Sequence, residues 1–141
     1  MSQIFKISID IHGVIDELPK FFSHMTHSLV NSGMEVHIVT GGSFSRAEKE
    51  LRTYGIKYTH LFSILDHHRS INTPTFENHP KYGFPMIDDA TWDRTKGEYC
   101  ELHNIDLHLD DTLAYGDSFT TPFAKLWTKT KGDKYKKQNQ K

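Results

Sequence analysis

Short runs of β-branched residues alternate with segments of helical spacing along most of the chain, and this alternation restricts the fold more than any other feature. Residues 4–11 place Ile7, Ile9 and Ile11 on one face of a strand. Leu18, Phe21, Phe22, Met25 and Leu29 then recur at helical spacing, with Pro19 suited to a first turn and Asn31-Ser32-Gly33 as the stop. Residues 35–40 read as a second strand, ended by Gly41-Gly42. Phe44, Ala47, Leu51 and Tyr54 mark a second helix that closes at Gly55. Residues 58–65 are a third strand. Residues 66–88 read as irregular, with Pro74, Pro80, Gly83 and Pro85 among polar residues. A third helix over 90–103, a strand over 106–110 and a short strand over 124–127 complete the order. This alternation predicts an α/β fold: a three-layer, Rossmann-like, mainly parallel sheet with helices on both faces.

A length of 141 residues suits one domain. The expected division is a core over 1–128, carrying the irregular insertion 66–88, and a basic tail over 129–141. The formal net charge of -1 conceals an asymmetry: the tail carries +5 and the rest -6. The tail lacks periodicity and reads as a solubilising end in preference to a polyanion-binding arm. No apolar run is long enough for a membrane span, and the first residues contain no apolar stretch of the secretory kind. The single Cys100 cannot pair within the chain. A cytoplasmic location is the expectation.

In a sheet of this kind the ligand site lies at the carboxyl ends of the strands, where the strand order switches. The first strand runs into Asp10-Ile11-His12-Gly13-Val14, the second into Thr40-Gly41-Gly42, and the fourth into Asp110-Asp111. Lys96 lies on the helix that feeds the fourth strand. Three carboxylates, a hydroxyl and a lysine therefore converge on one edge. Packed carboxylates repel, and an oxygen-only donor set suits Mg²⁺. With Lys and Thr donors, such a site can cradle a phosphoryl group, and a strand-end aspartate can attack phosphorus.

The order and spacing of these motifs resemble the haloacid dehalogenase-like (HAD) superfamily of phosphohydrolases. The resemblance covers most of residues 4–128 apart from 66–88. It implies that Asp10 is the nucleophile and a Mg²⁺ ligand, and that the backbone carbonyl of His12 is a second ligand. Asp110 or Asp111 would be the third. It implies that Thr40 binds the transferring oxygens and that Lys96 neutralises Asp10 and the phosphoryl charge. The family's phosphatases carry a second aspartate where this chain has His12. An imidazole can do the same acid/base work with a pKa of about 6.5.

The insertion 66–88 is too short for a full cap, so the site is expected to be open. Gly41, Gly42, Arg69 and Lys81 are the candidate substrate-binding positions, and His67, His68, His79 and Tyr82 fringe them. A structural zinc on His67, His68 and His79 matches no known ligand spacing. Asp88-Asp89 is expected to cap the third helix. Asp117 is read either as supporting the acidic pair or as capping a helix over 118–124. His37 and His108 are expected to be buried and hydrogen-bonded. The function expected is Mg²⁺-dependent hydrolysis of a small phosphorylated metabolite or nucleotide. The alternatives are a weakly active or non-catalytic binding protein of the same fold and a nucleic-acid end phosphatase. A homo-oligomer is possible on these grounds.

Overall fold

The computed structural model describes residues 3–75, 77–78, 86–112 and 118–126. Strand β1 (Lys6–Ile9) is followed by a 3-10 turn (Ile15–Glu17) and helix α1 (Pro19–Asn31). Strand β2 (Glu35–Thr40), helix α2 (Phe44–Tyr54), strand β3 (His60–Ser63) and helix α3 (Ile64–Ser70) come next. Helix α4 (Asp89–Leu102), strand β4 (Leu107–Asp110) and strand β5 (Phe123–Lys125) complete the fold. The five strands form one sheet in the order β3-β2-β1-β4-β5, and every pair is parallel. The chain winds outward from β1 to β3, then crosses back to β4 and β5. The order therefore switches between β1 and β4, as in a Rossmann-like sheet.

The two faces of the sheet differ in chemistry. One carries Ile7, Ile9, Val36 and Ile38, packed under α1 and α2 with Phe22, Ala47 and Leu51. Each large apolar side chain of this kind contributes about 1.5–3 kcal/mol by leaving water. The other face, under α4, is polar. Ser8 on β1, His37 on β2 and His108 on β4 are all buried there, with Tyr99 and Cys100 of α4 above them. Gly97 lets the segment at Ser118 pack closely on α4, because a Cβ at that position would lie 2.6 Å from the Ser118 carbonyl oxygen.

One expectation fails. Residues 66–88 are not irregular throughout, because α3 begins at Ile64, directly after β3. Ser63 ends the strand and caps the helix in one residue, its Oγ accepting from the Asp66 N–H at 3.1 Å. Strand β3 is correspondingly shorter than residues 58–65. The helix considered over 118–124 is absent, since residues 123–125 form β5. Asp88 caps α4 as expected, accepting from the Thr91 N–H at 3.2 Å. Lys81, His79, Tyr82, Asp117, Trp127 and the tail 129–141 lie outside the described residues. Among the described residues no helix is long and apolar enough to cross a membrane.

Candidate functional site

Asp10 follows the last residue of β1 and is held in the sheet by its N–H, which donates to the Leu109 carbonyl at 3.0 Å. Asp110 ends β4, the strand on the other side of the switch point. Lys96 reaches between them from α4. It is only 1% exposed, and its Nζ lies 2.7 Å from Asp110 Oδ2 and 3.3 Å from Asp10 Oδ1. A lysine so deeply buried needs carboxylate partners, and this one has two.

Asp110 is anchored from every side. Its Oδ2 also accepts from His108 Nε2 at 2.9 Å, and its Oδ1 accepts from the N–H groups of Asp111 and Thr112. His108 is fixed in turn by Ser8, whose Oγ lies 2.6 Å from Nδ1. Burial keeps this imidazole below its ordinary range, so its Nε2–H donates to Asp110 and Nδ1 accepts from Ser8. Burial alone would raise the Asp110 pKa. The His108 hydrogen bond and the Lys96 charge outweigh that and hold it well below the usual carboxylate range.

Asp10 behaves in the opposite way. Burial pushes its carboxyl up to about 8, opposed by the Lys96 charge and reinforced by the negative charges of Asp110 and Asp111. Lys96 and Asp110 are thus the ionised pair, and Asp10 retains its proton at neutral pH when no cation is bound. The sign of the resulting pH dependence is definite. Between the unfolded value of 3.8 and about 8, the folded state holds one proton more than the unfolded state. Asp10 therefore lowers stability as pH rises across that window. Without divalent cations, the stability advantage of Asp10→Asn over wild type should grow from pH 5 to about pH 8 and then level off. Parallel denaturation curves for the two proteins across that range would contradict it.

Asp10, Asp110 and Asp111 each offer a carboxylate oxygen within 4.8 Å of the others. Three carboxylates less the Lys96 charge leave two negative charges in an all-oxygen donor set. That suits a hard divalent cation such as Mg²⁺. Asp110 is the fixed member of its pair and Asp111 the half-exposed one.

The remaining predicted residues divide into two groups. Thr40 ends β2 and is buried, with Oγ1 accepting from the Gly42 N–H at 3.3 Å. Ser63, its ladder partner, donates to the Gly42 carbonyl at 2.6 Å and fixes the Gly41-Gly42 turn. Gly41 admits the Trp92 ring of α4, whose Cζ2 would be 2.9 Å from a Cβ there. These residues share the sheet edge with Asp10 and Asp110. Arg69 lies on a cavity that shares Trp92 with this turn. It is an exposed residue of α3 near Asp66, and the cavity, of about 280 Å³, is lined also by His68, Met86 and Trp92. His68, also on that cavity, is buried and bonded through both ring nitrogens to Thr73 and Thr95.

His12 is brought to the same loop, which turns at Gly13 with a φ of +86°. Asp16 accepts from the Gly13 N–H at 2.7 Å and locks that turn. The His12 ring is 49% exposed, with Nε2 lying 2.7 Å from Glu50 Oε2 on α2. Glu50 is held through its other oxygen by Arg46 Nε at 2.9 Å. Sequence reasoning did not find Glu50, since nothing local links it to residue 12. It also missed the pairing of His108 with Asp110, although their two-residue spacing on a strand places both on one face.

Comparison with protein-family models, curated proteins and solved structures gives no match.

Proposed function

We propose that the protein is a phosphomonoester hydrolase of HAD type, acting through an aspartyl-phosphate on Asp10. The observation that carries this reading is the buried Lys96 bridging Asp10 and Asp110 at the switch point of the sheet. A structural ion pair needs one carboxylate, whereas two acids and a lysine at the ligand-binding edge are the set that, with a divalent cation, would handle a phosphoryl group. Bound Mg²⁺, held by Asp10, the His12 carbonyl and Asp110 or Asp111, would supply positive charge against the phosphoryl oxygens and keep Asp10 ionised.

The chain's own residues account for the remaining chemistry. The ionised Asp10 oxygen attacks phosphorus, and the ester P–O bond breaks. His12 gives its proton to the departing oxygen, then takes one from the water that cleaves the acyl phosphate. Glu50 lies against the His12 ring, 2.7 Å from Nε2, and orients it. Thr40 and the Gly41-Gly42 turn offer a hydroxyl and backbone N–H groups to the phosphoryl oxygens. Lys96 offsets the charge that accumulates there.

The test is a panel of phosphomonoesters assayed with and without Mg²⁺. Phosphate release that requires Mg²⁺ supports the reading, and no turnover on any substrate sinks it. His12 can be tested separately through the leaving group. An aryl phosphate leaves as a stable phenolate, whereas an alkyl phosphate needs a proton. His12→Ala should cost about 10²-fold in kcat on an alkyl phosphate and much less on an aryl phosphate. Equal losses on both would remove His12 from the acid role. The second reading, a binding protein with little turnover, is favoured by the same His12 substitution. It predicts that His12→Asp creates activity where wild type has none.

A further inference from the structure

We infer that Glu35, His37 and His60 form a second metal site, selective for a borderline-soft divalent ion such as Zn²⁺, at the opposite edge of the sheet from Asp10. Glu35 and His37 are two residues apart on β2 and share a face. His60 is the ladder partner of His37 on β3, so its side chain emerges on the same face. The three residues each offer a ligand atom within 4.8 Å of the others. His37 Nε2 is 2.8 Å from Glu35 Oε1, and His60 Nδ1 is 4.0 Å from the same oxygen. His37 lies three residues before Thr40, roughly 10 Å along the strand from the acidic edge.

The donor chemistry decides the class of ion. Two imidazoles and one carboxylate are a set that Zn²⁺ takes up at about 2.0–2.2 Å, and that Mg²⁺ and Ca²⁺ disfavour. His37 also has the outer partner expected of a metal-bound histidine. Its Nδ1 lies 2.7 Å from the Tyr99 hydroxyl, which can accept as well as donate. When Nε2 turns its lone pair to a metal, the ring proton resides on Nδ1 and donates a hydrogen bond to the Tyr99 oxygen, whose own O–H turns away, so the proton count is unchanged.

The site also has room to close. The His37 and His60 rings stack at 4.0 Å with their planes 2° apart, and His60 Nδ1 lies 2.8 Å from the Thr59 hydroxyl, a contact it must give up to bind an ion. Convergence on one ion requires one ring to tilt. His60 can do so, because it is 45% exposed on an edge strand. His103, at the end of α4, has its ring 5.7 Å from that of His37 and stands over the cluster. Lys6 brings one positive charge near, with its Nζ against the His103 carbonyl at 3.5 Å. A divalent ion held here would tie β2 to β3.

Equilibrium dialysis of the full chain against Zn²⁺ in excess Mg²⁺, with Co²⁺ absorption spectra as the second readout, tests the site. Wild type should bind one equivalent of Zn²⁺ that Mg²⁺ does not displace, and Co²⁺ should give the visible bands of nitrogen and oxygen coordination. His60→Ala and Glu35→Gln, both away from the buried core, should each weaken binding by more than about 10-fold while melting cooperatively. Asp10→Asn should bind as wild type does. Absence of Zn²⁺ binding in wild type overturns the inference, as does binding that survives either substitution or is lost in Asp10→Asn.

Discussion

Asp10→Asn should abolish Mg²⁺-dependent phosphate release, by about 10⁴-fold or more, while leaving the fold intact. The two halves of this expectation come from the same environment. Burial pushes the Asp10 carboxyl up to about 8, so in the cation-free protein it is mostly neutral. Asparagine is close in shape to that neutral acid and can keep the contact with Lys96. No core packing is lost, and the variant is spared the cost of an ionised side chain at high pH. The asparagine amide, however, cannot attack phosphorus or form an acyl phosphate. A variant that melts cooperatively and no lower than wild type, yet releases no phosphate, separates chemistry from stability. Residual Mg²⁺-dependent turnover within tenfold of wild type would remove Asp10 from the nucleophile's role.

Lys96→Met should be the most destabilising single change at the site. Lys96 is buried between two acids, and methionine retains most of the volume but none of the charge. Breaking a buried pair from one side leaves an uncompensated carboxylate and costs about 3–5 kcal/mol. For a chain of this size that lowers Tm on the order of 10 °C. Asp110 bears most of the loss, because it is the member held ionised by Lys96 and His108. Two measurements separate this electrostatic cost from ordinary loss of packing. Millimolar Mg²⁺ should restore part of the stability of Lys96→Met, since a cation among the three carboxylates replaces the missing charge. Adding Asp10→Asn to Lys96→Met should also stabilise it, by removing a buried acid that must be held protonated. A Tm insensitive to both would show that the lysine acts as a spacer.

Strand and helix positions were legible because the core-facing residues obey simple periods. Ile7, Ile9, Val36 and Ile38 alternate, and Phe22, Met25 and Leu29 recur one helical turn apart. The boundary between β3 and α3 was not legible, because Ser63 ends one element and caps the next with no intervening turn residue. Segment 66–88 was accordingly misread at its start. Placing Asp10, Thr40 and Asp110 at one edge needed only the rule that parallel strands end together. Lys96 could be ordered along the chain, but whether it faced solvent or the acids depended on the rotation of α4 against the sheet.

The ten histidines make the same division clear. Their number marked them as unusual, and strand alternation marked His37 and His108 as facing inward. What they face was decided by packing across chain distances that no local pattern encodes. His108 meets Ser8 from a residue 100 positions away, and His37 meets Tyr99 from 62. Periodicity specifies which face of an element is buried, since burial is a property of one element and water. A partner depends on two elements brought together, and its identity follows only once the sheet order and the position of α4 are known. The alternation of short apolar strands with helices was therefore sufficient for the α/β architecture and its acidic edge. The ionisation of Asp10, the pairing of His12 with Glu50 and the Glu35–His37–His60 cluster are properties of the assembled fold.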